Sequence, residues 1–243
     1  MVRTLDAAVR AAITGLFPGG ATPDKENFRL DGTQYKAPDH EVWNGRLLIE
    51  RKSLNAVDNS QYYEKVADIA RGQGKPMVGY GMFDVSKMIT AMPDPAGANR
   101  KFVDYVTNQL KKSIREARKK FDEHGDVTGR KFSARVLIIS DHAEMRSTTD
   151  AVEYVIGERF IRSRRGSGDT GLIDAIIYVK NPRYVFLREN SYWFKCVIRR
   201  EAVASLRKDI EILSLGLHEW LAKYEFSVSP ELNQTRGYRP LIA

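Results

Sequence analysis

Asn44-Gly45 stands between two runs rich in alternating polar and apolar side chains, and it constrains the folding of this 243-residue chain more than any other feature. Asn-Gly is the strongest short-range hairpin signal, because both residues accept the positive φ that a two-residue type I′ turn requires. Such a turn fixes the pairing across residues 38–52: Trp43 opposes Arg46, Glu41 opposes Leu48 and Asp39 opposes Glu50. Two carboxylates then face each other, and Lys52 lies on the face of Glu50, two residues on. Like charges opposed across strands cost on the order of 0.2 to 1 kcal/mol, so the register predicts a cation between them. A hard divalent ion with oxygen ligands and an open position suits the pattern; Mg²⁺ keeps several waters and activates one beside a phosphate, with Mn²⁺ an alternative.

Around the hairpin, apolar periodicity predicts further elements. Leu5, Ala8, Val9, Ala12, Ile13 and Leu16 form one stripe of a helix over 4–16, ended by Pro18-Gly19-Gly20. Residues 27–36 read as a strand or short hairpin about Asp31-Gly32, residues 59–71 as a helix capped by Asp58 or Asn59, and 76–83 as a strand. The stripe Phe102, Val103, Val106, Leu110, Ile114, Ala117 and Phe121 predicts one long helix over 98–123. A buried strand at 134–140 and a helix over 149–163 follow. Residues 174–180, 183–188 and 191–199 have the spacing of an antiparallel meander, Val203 to Tyr224 reads as a closing helix, and the last 17 residues as a loose tail.

Pro38-Asp39 followed after a hairpin by Glu50-Arg51-Lys52 resembles the PD-(D/E)XK nuclease family. The tripeptide alone is common by chance; its weight comes from lying at the end of a hairpin whose register independently sets Asp39 against Glu50. The predicted order of helix, three strands, helix and strand over the first 85 residues matches the core of that family. The resemblance implies an α/β fold with a mixed central sheet flanked by helices, a restriction-endonuclease-like core in residues 1–90, and an extension over 91–243 bearing a basic helix, a β-meander and a C-terminal helix, packed on the core as one elaborated domain. It also implies that Asp39, Glu50 and the backbone carbonyl of Arg51 hold the metal, that Lys52 orients the attacking water or stabilises the charged phosphorane, and that Gln61 supports the site from the following helix. The chain departs from the family pattern at two places: Asp6 falls off the buried stripe of the first helix, leaving Glu26 as a substitute, and Lys65 stands where some relatives carry tyrosine.

Charge agrees with a polyanionic partner. Lys plus Arg number 39 against 31 Asp plus Glu, a net charge of +8, and eight basic residues between Arg100 and Lys120 face only Asp104 and Glu116. Ordinary helix faces mix signs to gain i,i+4 pairs, and this one largely does not. Lys111, Lys112, Arg115, Arg118 and Lys119, with Arg162, Arg164 and Arg165 ahead of a Gly/Ser loop, are therefore the expected contacts to a nucleic-acid backbone.

Other chemistries are excluded or weak. The single Cys196 excludes internal disulfides and cysteine-based zinc clusters. Residues 166–171 fit GxGxxG in the reverse of the dinucleotide-binding context, and His142-Ala143-Glu144 lacks the cysteine pair of zinc deaminases. No membrane span or signal-peptide core is found, so the expected location is the cytoplasm. The expected activity is Mg²⁺-dependent endonucleolytic cleavage of DNA, as in restriction or antiviral defence, with RNA an open alternative substrate. Double-strand cleavage by one site per chain favours a homodimer or a larger nuclease complex. The alternative of another class is a non-catalytic nucleic-acid-binding or complex-forming module that retains the fold.

Overall fold

The computed structural model describes residues 5–20, 22, 29–30, 33–54, 60–76, 84–129, 133–141, 152, 155–156, 173–180, 191–198, 204–223, 227–228 and 241–242. Helix α1 (Leu5–Leu16) buries the predicted stripe of Leu5, Ala8, Val9, Ala12 and Ile13. β1 (Arg29–Leu30) and β2 (Thr33–Gln34) pair antiparallel about residues 31–32 as a separate two-stranded sheet. β3 (His40–Val42) and β4 (Leu47–Leu54) form the Asn-Gly hairpin in the expected register, with His40 opposite Ile49, Glu41 opposite Leu48 and Val42 opposite Leu47. The left-handed stretch is one residue longer than a type I′ pair requires: Trp43, Asn44 and Gly45 all have positive φ, of 52°, 53° and 83°. The indole of Trp43, a residue that rarely adopts this conformation, packs edge-on against Phe17 at 5.0 Å between ring centroids.

After β4 come α2 (Ser60–Gly72), α3 (Val85–Thr90), α4 (Pro95–Val106) and α5 (Asn108–Thr128). The single helix expected over 98–123 is thus two. Asp94 caps α4, which begins three residues earlier than predicted with Pro95 in its first turn. α4 ends and α5 begins at Thr107, whose backbone keeps its bonds to Val103 and Lys111 and whose hydroxyl also donates to the carbonyl of Val103 at 2.6 Å. Such back-bonding bends a helix, while the apolar stripe runs on through the junction. Val66, Ile69, Ala70, Ile89, Met92 and Ala98 join α2, α3 and α4 in a small core of their own.

β5 (Ala134–Asp141), β6 (Ala175–Lys180), β7 (Ser191–Ile198) and α6 (Ala204–Lys223) complete the principal elements. The sheet order is β3-β4-β5-β6-β7: β4, β5 and β6 are parallel, and β3 and β7 run antiparallel on either side. A mixed α/β architecture is therefore present, and strands from both halves of the chain share one sheet. β5 is buried along its whole length, as expected of a parallel strand covered on both faces. On one face, α1 and α6 pack on Ile49, Val136, Ile138 and Ile177. On the other, α5 and helical residues Val152, Val155 and Ile156 pack on Leu48, Leu137, Ile139 and Tyr178.

Three expectations are corrected. β6 pairs directly with β7, so no strand lies between them and the three-stranded meander is not formed. The tail is not wholly loose: β8 (Ser227–Val228) and β9 (Leu241–Ile242) both pair parallel with β7, two-residue segments too short to show a period. Of the six-element order, α1, the β3–β4 hairpin and α2 are in place, but β1–β2 stand apart and the strand beside β4 is β5, reached through α2 to α5. Residues 77–83, 183–188, Asp58, Asn59, Glu26, His142, Glu144 and most of 149–163 lie outside the described residues.

Candidate functional site

Alternation along β4 sends Leu47, Ile49 and Arg51 to the α1 face and Leu48, Glu50 and Lys52 to the α5 face. β4 is flanked by β3 and β5 and roofed by α5, which is why the Glu50 side chain is 0% exposed. A buried carboxylate needs partners. Lys52 supplies one, its Nζ 3.0 Å from Glu50 Oε1. The second comes from α5: Lys120 Nζ is 3.1 Å from both Oε1 and Oε2 of Glu50 and 3.9 Å from Asp39 Oδ1. Asp39 and Glu50 thus both approach one positive charge, the Lys120 ammonium, at the place where the sequence leads one to expect a divalent ion.

Lys120 belongs to the basic run in the sequence but not to the expected site, because charge on a helix reads as a solvated face. A signal for it exists. It adjoins the buried Phe121 and follows Glu116 by four residues, so the two share one side of α5 facing β4. Glu116 Oε2 lies 3.5 Å from Lys52 Nζ and Glu116 Oε1 3.8 Å from Lys112 Nζ. Charges thus alternate through Asp39, Lys120, Glu50, Lys52, Glu116 and Lys112.

Burial raises the pKa of Glu50 above the usual carboxylate range, and the negative Asp39 adds to it, while Lys120 and Lys52 pull it down without cancelling the rise. For Lys52, burial alone would lower the pKa, but ion pairing with Glu50 and Glu116 outweighs it and the net shift is upward. Lys52 therefore stays a cation at neutral pH.

Asp39 is fixed by the main chain, its Oδ2 accepting from the Arg51 N–H at 2.7 Å. The Arg51 side chain leaves toward α1, where Nη1 donates to Asp6 Oδ1 at 3.3 Å. Asp6, off the buried stripe as the sequence indicated, thus reaches the hairpin through Arg51. Just below the cluster on the same face, His124 Nε2 lies 3.3 Å from Glu41 Oε2 in a fully buried position. Gln61 is exposed on the first turn of α2 and makes no hydrogen bond to Asp39, Glu50 or Lys52 among the described residues.

The basic face of α5 mixes signs more than the sequence suggested. Lys111 Nζ lies 2.5 Å from Asp104 of α4, and Lys119 Nζ 3.5 Å from Glu123. Lys112, Arg115 and Lys119 are exposed and Arg118 is half-buried. Arg162, Arg164 and Arg165 lie outside the described residues. Among the described residues no three acidic, histidine or cysteine side chains form a ready-made metal cage. Two carboxylates suffice for Mg²⁺, which keeps most of its waters. Asp39 and Glu50 both lie within reach of one cationic group, the Lys120 ammonium, and are the two carboxylates that could serve as oxygen ligands once it moves aside.

Among the described residues no helix is long and apolar enough to cross a membrane. No protein-family model, curated protein or solved structure matches the chain.

Proposed function

We propose that this chain is a metal-dependent nuclease that hydrolyses DNA phosphodiester bonds. The observation that carries the reading is the convergence of Asp39 and Glu50 on one cation position, with Lys52 on Glu50, at the end of a hairpin roofed by a basic helix. Asp39 and Glu50 would hold Mg²⁺ or Mn²⁺, with the Arg51 carbonyl as a further ligand, and the ion would supply Lewis-acid polarisation and an activated water. Lys52, kept protonated by its carboxylate neighbours, supplies positive charge for the phosphoryl oxygens as negative charge develops. Arg51 holds Asp39 in place through its N–H, and the exposed Lys112, Arg115 and Lys119 give α5 an outer face suited to phosphates.

The test is supercoiled plasmid incubated with purified protein and Mg²⁺, with EDTA, and with the Lys52→Ala variant. Nicking that needs both Mg²⁺ and Lys52 supports the reading; equal nicking by the variant defeats it. A second reading, a non-catalytic nucleic-acid-binding module, is favoured by the Lys120 and Lys52 ammonium groups already pairing with the carboxylates. DNA binding with no cleavage under Mg²⁺ or Mn²⁺ would select it.

A further inference from the structure

We propose that Lys120 is a tethered counter-ion that a divalent cation must displace, so that α5 gates metal loading of the Asp39–Glu50 site; this rests on the metal-site reading above. The ammonium sits 3.1 Å from both oxygens of Glu50, the place a cation takes when it bisects a carboxylate, and also approaches Asp39. A metal ion with oxygen ligands at about 2 Å and an ammonium cannot share that volume. Charge makes the same point. Asp39 and Glu50 face Lys120, Lys52 and, 3.9 Å from Asp39, the Arg51 guanidinium, so an incoming dication meets no net negative charge on this set unless an ammonium leaves.

Lys120 is the one that leaves. Lys52 meets Glu50 alone of the two carboxylates, whereas Lys120 lies within reach of both, the place an ion shared by them would take. It reaches the site on a flexible four-carbon stem with its side chain 15% exposed, so the head can swing to the rim without moving the helix backbone. There it meets any phosphate drawn to the outer face of the same helix, which makes release favourable when substrate is present. The site so built is closed in the resting protein and opens where a polyanion and a divalent ion arrive together.

The experiment uses Mn²⁺ as the probe. Its affinity is measured by calorimetry for the wild type, Lys120→Met, Lys120→Gln and Lys119→Met, with circular dichroism verifying the fold. Lys120→Met should bind Mn²⁺ at least tenfold more tightly than the wild type, about 1.4 kcal/mol. Lys119→Met, which removes the same charge from the outer face, should change affinity less than twofold. In the wild type, acetylation of Lys120 followed by mass spectrometry should accelerate at least threefold when Mn²⁺ is added, with Lys119 unchanged, and this readout needs no variant to fold. Binding to the wild type and Lys120→Met with equal affinity, or unchanged Lys120 acetylation at saturating Mn²⁺, overturns the gate and leaves the metal site standing. Equal tightening by Lys119→Met also overturns it, since general charge would then explain the effect. No Mn²⁺ binding by any of the proteins overturns both gate and metal site. Tightened binding without DNA cleavage keeps the gate and removes the nuclease.

Discussion

Lys120 of α5 and Glu50 of β4, 70 residues apart in sequence, form a bifurcated ion pair with Nζ 3.1 Å from each carboxylate oxygen. This contact joins the roof helix to the hairpin, and it explains how Glu50 remains in a site with no solvent exposure. Buried ion pairs add little net stability over apolar packing, yet removing one partner leaves a desolvated charge. Such an arrangement is expected where charges are kept for chemistry.

Lys52→Ala should lower Mg²⁺-dependent cleavage by about 10² to 10³-fold, the usual effect of losing one donor to developing charge. DNA affinity should be unchanged within twofold, because Lys52 lies inside the cluster rather than on the outer face. Cleavage rates under single-turnover conditions, together with binding isotherms, decide it. Unaltered rates would remove Lys52 from the site.

Asp39→Asn separates what the sequence suggests from what the structure adds. From register alone, neutralising one of two opposed carboxylates should leave the metal-free protein as stable or slightly more stable. In the structure, Asp39 also accepts a charge-assisted bond from the Arg51 N–H and faces Lys120. The substitution keeps a carbonyl oxygen for the Arg51 N–H but removes the charge that strengthens that bond and meets Lys120, which should cost about 1 kcal/mol, more than the relief of repulsion restores. Urea unfolding at neutral pH in EDTA should therefore show the variant less stable. A more stable variant would mean that Lys120 screens the carboxylates poorly.

What the sequence reveals and what it hides follow from the range of each interaction. The hairpin register is legible because two adjacent residues, Asn44 and Gly45, determine it locally. From that register the meeting of Asp39 with Glu50 follows, as does Lys52 on the same face. The junction at Thr107 is hidden because the apolar stripe continues across it in phase. Lys120 is hidden for a deeper reason: whether a lysine beside a buried stripe points out or in depends on what the helix docks against, and β4 with its buried carboxylate lies far away in sequence. The pairing of β8 and β9 with β7 is hidden likewise, since two-residue strands have no period.

On α5, Lys112, Arg115 and Lys119 recur at i, i+3 and i+7 on the exposed face, whereas Lys111 is drawn to Asp104. Charge reversal of these three should weaken binding to all DNA sequences alike. The slope of log affinity against log salt should become shallower by about 0.9 for each phosphate that the variant no longer neutralises. An unchanged slope would make this face merely solvated.

Gly15 of α1 lies directly beneath the indole of Trp220 on α6, where an added Cβ would clash with the ring. Gly15→Ala should cost about 1 to 3 kcal/mol by forcing the two helices apart, despite the higher helix propensity of alanine. Thermal unfolding of Gly15→Ala, and of Gly15→Ala combined with Trp220→Leu, checks the cause. The double variant should recover part of the stability.

His124 gives the fold a pH dependence whose sign can be worked out. Its side chain is fully buried on α5 beside Glu41, and burial lowers its pKa below the ordinary imidazole value. Above about pH 6.5 both folded and unfolded chains hold the neutral ring, and no stability is lost. As pH falls below that value the unfolded chain takes up a proton that the folded protein refuses, so stability falls by up to about 1.4 kcal/mol per pH unit until the lowered folded pKa is reached. His124→Gln, which keeps an N–H donor toward Glu41, should lose less stability between pH 7.5 and pH 5.5 than the wild type. His218, whose pKa is also lowered by burial, and Glu50, whose pKa is raised, titrate in both proteins and cancel in the difference. Urea midpoints of the two proteins at both pH values give the comparison. If the wild type instead gains stability relative to the variant at pH 5.5, the Glu41 carboxylate 3.3 Å away outweighs burial and the pair becomes an ion pair in acid.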